Sequence, residues 1–157
     1  MLQVRRSILA GLLLFAVAQL CAYAKPNFSG EWKMNAAKSD FGQFPAPSSM
    51  TQTVTHEDPA LKVAMKMATD QGDMDFESNY STDGKETTNT FGPSEMKSVA
   101  KWDGDVLVIT TKGQFGDNEM TMTVKWELSA DGKVLTINQH FVSSQGEMDQ
   151  KIVLDKQ

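Results

Sequence analysis

Glu119–Leu128 alternates without a break: Met120, Met122, Val124, Trp126 and Leu128 fall on one face, and Glu119, Thr121, Thr123, Lys125 and Glu127 on the other. Side chains alternate across a strand, so this segment is predicted to bury one face and wet the other. It belongs to a block from Glu95 to Phe141 in which four alternating segments are separated by short turn signals, none long enough for a helix. Asp103-Gly104 and Asp131-Gly132 supply the positive φ angles that tight hairpins need. The block reads as an antiparallel meander.

The same period runs through the preceding chain. Phe28, Gly30, Trp32 and Met34 share a face, and Met50–His56 alternates. Leu61, Val63, Met65 and Met67 stand opposite Lys62 and Lys66, and Met74, Phe76 and Tyr80 opposite Asp75 and Glu77. Asp83-Gly84 is read as a turn into a strand over Glu86–Phe91, and Glu147–Asp155 as the last strand. Asn35–Ser49, with Asp40, Gly42, Pro45 and Pro47, breaks the pattern and is predicted as a loop with one short helical turn at Ala36–Ser39. About ten short strands with turns at this spacing predict an all-β fold. Closing the sheet removes exposed edges, so the expectation is an up-and-down antiparallel β-barrel of about 8–10 strands. Lys62, Lys66, Glu119, Lys125 and Glu127 occupy the outward faces, where an outer-membrane barrel needs an apolar band.

Residues 1–24 have the pattern of a cleaved secretory signal peptide: Arg5-Arg6, an apolar run over Ile8–Ala18, and Ala22-Tyr23-Ala24 as an A-x-A site. The expected domains are this leader and a barrel over 25–157, exported to the periplasm or beyond. The apolar run is too short for a membrane span. Cys21, the one cysteine, lies in the leader, so the barrel is expected to have neither disulfide nor thiolate metal site. The formal charge of −5 becomes −7 without the leader, with 13 lysines, 20 acidic residues and no arginine. A domain lacking arginine's fork of donors is not expected to bind nucleic acid.

Gly30-Glu31-Trp32 is a G-x-W on the first strand, followed by a meander of the right length. On these residues the chain resembles the calycin superfamily, the lipocalins and fatty-acid-binding proteins. It also resembles bacterial lipocalin-like secreted proteins in Ser29–Asn35, Lys38–Gly42, Trp102–Asp105 and Ser129–Leu135. The resemblance covers the whole of 25–157 and implies a calycin-like barrel holding a small apolar molecule, with Gly30 and Trp32 as structural residues closing one end. Two departures stand out. Residues 35–49 cannot supply the helix pair of fatty-acid-binding proteins, and no arginine is present to anchor a carboxylate or cover Trp32; Lys151 or Lys156 is the expected cover.

All nine methionines after Met1 fall on inward phases. Methionine is flexible and polarizable and suits varied apolar shapes. The expected cavity lining is Met65, Met67, Phe76, Tyr80, Met120, Met122, Trp126, Gln139 and Phe141, with Gln139 the first choice for a polar contact. Gln52, His56, Ser78, Ser98 and Gln150 are further inward polar positions, although His56, beside Glu57-Asp58-Pro59, also reads as an exposed turn residue. The competing reading is a filled barrel acting as a structural or protein-interaction module. A third starts from Met65-Lys66-Met67 and Met120-Thr121-Met122, whose thioethers suit Cu(I), although any core residue falls at alternate strand positions. His140 alternates out of phase with Phe141 and should face solvent; the resemblance to ten-stranded barrels that hold haem through one histidine implies that, in the opposite phase, it could ligate iron. No serine has a G-x-S-x-G setting, and the paired carboxylates lie at turns, so no enzyme is expected. The expected partner is a small hydrophobic molecule, and no cofactor is expected.

Overall fold

The computed structural model describes residues 24–115 and 118–157, so the predicted leader, apart from Ala24, lies outside the described residues. Ten strands form one antiparallel sheet: β1 Gly30–Met34, β2 Ser49–Glu57, β3 Ala60–Thr69, β4 Gly72–Ser81, β5 Asp83–Phe91, β6 Ser94–Asp103, β7 Val106–Phe115, β8 Asn118–Leu128, β9 Val134–Ser143 and β10 Gly146–Lys156. Their order is β4-β3-β2-β1-β10-β9-β8-β7-β6-β5. Each strand therefore pairs with its neighbour in sequence, except that β1 pairs with β10 and no ladder joins β4 to β5. This is an up-and-down barrel, closed except along one seam.

At the seam, the Asn89 side chain stands in for the absent ladder. Its Oδ1 accepts from the Asn79 amide at 2.7 Å and its Nδ2 donates to the Asn79 carbonyl at 3.1 Å. Asn89 is buried, and the Phe76 and Phe91 rings stack across the same seam at 4.3 Å. Asp83-Gly84, read from the sequence as a turn into the strand Glu86–Phe91, instead opens β5: the β5–β6 register shifts between Asp83 and Glu86, and Gly84 takes φ 84°. A bulge twists and bends its strand.

The core fills one half of the barrel. Phe28 precedes β1 and is wholly buried, stacked on His56 at 5.7 Å and Trp102 at 5.8 Å and edge-on to Trp126 at 5.3 Å. Trp32, Leu61, Leu107, Leu135, Ile137 and Leu154 are likewise fully buried. Trp32 closes this end. Its Nε1 donates to the Phe28 carbonyl at 2.9 Å, and the Lys156 Nζ lies 5.3 Å over its ring. The Lys156 stem passes so close to Gly30 that a Cβ there would lie 2.8 Å from its Cε. Gly30 also takes φ 141°, a conformation that strains any L side chain, so backbone and Lys156 together favour glycine here.

β1 has five residues where the other strands have 9 to 11. Beyond Met34 the chain makes a 3-10 turn at Ala36–Lys38 and returns to pair Asp40 with Lys151 of β10. It buries Phe41, and Ser48 then donates from its backbone to the Ala68 carbonyl. The segment 39–48 thus takes the place of β1 in the half of the barrel away from Phe28.

Candidate functional site: the methionine-lined half of the barrel

Register decides which side chains share the interior. On one wall Trp32 pairs with Gln52, Gln52 with Met65, and Met65 with Phe76; Met50 pairs with Met67, and Met67 with Met74. On the other wall Met148 pairs with Phe141, Phe141 with Met122, and Met122 with Thr111, while Gln150 pairs with Gln139. In the sheet order β3 is second and β8 seventh, so the two walls face one another across the barrel.

Inward side chains in the Phe28 half are buried. In the other half, still in phase, Met65, Met67, Phe76, Met120, Met122, Gln139, Phe141, Met148 and Gln150 are half-exposed, while Met50, Met96, Ser98 and Thr111 are buried. β8 shows the change within a single strand, from half-buried Met120 and Met122 to buried Val124 and Trp126. Solvent therefore reaches part of the inward face in this half. Outer-wall grooves of about 370 and 710 Å³ are lined chiefly by charged and hydroxyl side chains such as Lys125, His140 and Asp149, or Glu95, Lys97 and Lys112. Gln139 and Gln150 also border the first groove, and Met120 the second.

Polar groups punctuate the open half. Gln52 is 7% exposed; its Nε2 meets the Met65 sulfur at 3.6 Å and its Oε1 has no partner. Ser98 Oγ and Thr111 Oγ1, both buried, share a hydrogen bond of 2.9 Å. The Gln150 Nε2 donates to the Phe41 carbonyl at 3.1 Å, tying segment 39–48 to the wall. Tyr80, half-buried opposite Leu61, lies on the seam strand, and burial pushes its phenol pKa up, so it stays neutral.

The structure gathers Met65, Met67, Phe76, Met120, Met122, Gln139 and Phe141 around the open half, with Tyr80 nearer the packed end. Trp126 differs from its expected lining role: it is 4% exposed and packed against Phe28. Alternation gives the face but not the height along the barrel, and Phe28 fills the height where Trp126 lies. The turn reading of His56 is also corrected. His56 is 4% exposed, its Nδ1 accepts from the Phe28 amide at 3.3 Å, and its ring stacks among Phe28 and Trp102. His140 faces outward with Nδ1 2.7 Å from Asp149 Oδ1. Among the described residues no group of three His, Cys, Asp or Glu side chains is placed to hold a metal. Phe41, Phe91 and Asn89 were missed in the sequence. The β5 run KETTNTF is too polar to announce an inward face, and Phe41 lies in a loop, where alternation is silent.

No family model matches the chain, and no curated protein does. Solved structures do. The zebrafish ileal bile acid-binding protein complexed with cholic acid is 14% identical, with a TM-score of 0.57 over 83% of this chain and 98% of that one. The barrel is calycin-like. Fatty-acid-binding protein 1 of Echinococcus granulosus is 15% identical, with a TM-score of 0.55 over 82% and 96% of the two chains. Secretory abundant heat soluble protein 4 from Ramazzottius varieornatus is 17% identical, with a TM-score of 0.56 over 83% and 94%. At these identities the likeness is one of fold.

Proposed function

We propose that the protein binds a small apolar or amphipathic molecule, non-covalently, in the open half of its barrel, and that it is a binding protein rather than an enzyme. The observation that carries this reading is the change along the interior, from buried aromatics around Phe28 to half-exposed methionines around Met122. An apolar surface left open to solvent inside a barrel gains free energy by covering itself with a ligand, at roughly 25 cal/mol per Å². Methionines adapt to the ligand's shape, and a few carboxamides and hydroxyls orient it. That similar barrels are named for binding fatty acids and a bile acid supports the reading at the level of fold.

We further propose that binding takes place outside the cytoplasm, on the strength of the leader pattern in residues 1–24. Native mass spectrometry of protein purified gently from its own host tests both points. The expected result is a chain beginning at Lys25 that carries one small-molecule adduct. A bare chain that also ignores neutral apolar fluorescent probes would contradict the binding reading and favour a filled barrel that works through its loops.

A further inference from the structure

The inward wall is uncharged. Among the described residues, the ladder positions facing the interior from Gly30 on β1 to Leu154 on β10 include no lysine, aspartate or glutamate. Lys156 is in phase with them, but it sits exposed at the packed rim over Trp32. Both arginines of the chain, Arg5 and Arg6, precede the barrel. A carboxylate drawn between these walls would lose its hydration and meet no cation, so it would neutralise or remain outside.

Hydrogen-bonding capacity is present instead, and three buried groups in it are unfilled among the described residues: His56 Nε2 and Trp102 Nε1 beside Phe28 in the packed half, and Gln52 Oε1. Gln52 stands where the packed half meets the open one, with Trp32 as its ladder partner on one side and Met65 on the other. A thioether accepts hydrogen bonds and cannot donate them, so the Gln52 amide must turn its NH₂ to the Met65 sulfur. That leaves Oε1 buried and without a partner in the protein. An orphaned buried acceptor costs stability until a donor arrives.

We propose that the ligand is an uncharged apolar molecule bearing a hydroxyl, a long-chain or alicyclic alcohol, whose O–H donates to Gln52 Oε1, and that carboxylates are disfavoured. This rests on the binding site proposed above. The test is displacement of the neutral probe N-phenyl-1-naphthylamine at pH 8 by three molecules of equal chain length: dodecan-1-ol, its methyl ether 1-methoxydodecane, and dodecanoate. The alcohol should displace the probe at a concentration about tenfold lower than dodecanoate, and about fivefold lower than the ether, which cannot donate. Gln52→Leu should bring alcohol and ether to within about twofold of each other. Gln52→Met serves the same purpose if the leucine variant folds poorly.

Equal displacement by alcohol and dodecanoate in the wild-type protein overturns the inference. So does an alcohol–ether difference that survives loss of the carboxamide. In either case probe binding stands, and with it the open site. A protein that takes up no probe loses the site and this inference together.

Discussion

The indole Nε1 of Trp32 donates to the carbonyl of Phe28 at 2.9 Å, and both side chains are wholly buried. This bond fixes the segment before β1, so that the Phe28 ring enters the barrel and plugs one end. Trp32→Ala removes ring and bond and should cost about 3–5 kcal/mol. Trp32→Phe keeps most of the packing but orphans the Phe28 carbonyl, and should cost about 1–3 kcal/mol. Urea denaturation of the two variants measures both losses. A phenylalanine variant as stable as wild type would show that the bond does not matter.

His56 stacks on that plug, and burial lowers its pKa below the usual 6.5; the Asp58 carboxylate, 3.6 Å from Nε2, works in the opposite direction and is outweighed. The folded protein therefore holds the imidazole neutral at pH values where the unfolded chain protonates it. The unfolded state binds more protons, so stability rises with pH across this window. His56 contributes fully above pH 6.5, and its contribution falls as the pH drops from 6.5 toward its folded pKa. In His56→Asn, Oδ1 can still accept from the Phe28 amide, but nothing titrates. Unfolding free energies from pH 7.5 to 5 should decline more steeply for wild type than for this variant. Parallel profiles would refute the assignment.

Asn89 holds the seam through both backbone groups of Asn79. Asn89→Ala should cost about 1–3 kcal/mol, two net hydrogen bonds, and should speed hydrogen exchange at the Asn79 amide. Exchange at amides inside the β8–β9 ladder, far from the seam, should change only through global stability. Unchanged protection at Asn79 would mean that the seam is held elsewhere, for instance by the Phe76–Phe91 stack.

Much of the architecture was legible because a strand's period is two and a barrel has only an inside and an outside. Glu119–Leu128 alone gave its face, and the Asp-Gly pairs after Trp102 and Ala130 gave their turns. What alternation does not encode is height along the barrel and the partner at closure. Trp126 and Met122 share a face, yet one packs against Phe28 and the other borders open space. Which applies depends on a ring delivered by the segment before β1. The β4–β5 seam was illegible for a related reason: Asp83-Gly84 has hairpin composition, but its neighbours form a bulge, and the substitute for the missing ladder is one asparagine in a polar strand. His56 read as a turn residue from its neighbours Glu57-Asp58-Pro59, although its even-numbered phase with Met50, Gln52 and Val54 places it inside.

The central claim, that the methionine-lined half of the barrel is open and takes up an apolar molecule, is tested most directly by NMR of ¹³C-methyl-methionine protein titrated with N-phenyl-1-naphthylamine. The methyls of Met65, Met67, Met120, Met122 and Met148 should shift together and saturate at one probe per chain. A titration that moves only the methyl of Met74, the most exposed of the interior-phase methionines, or that moves none, would contradict it.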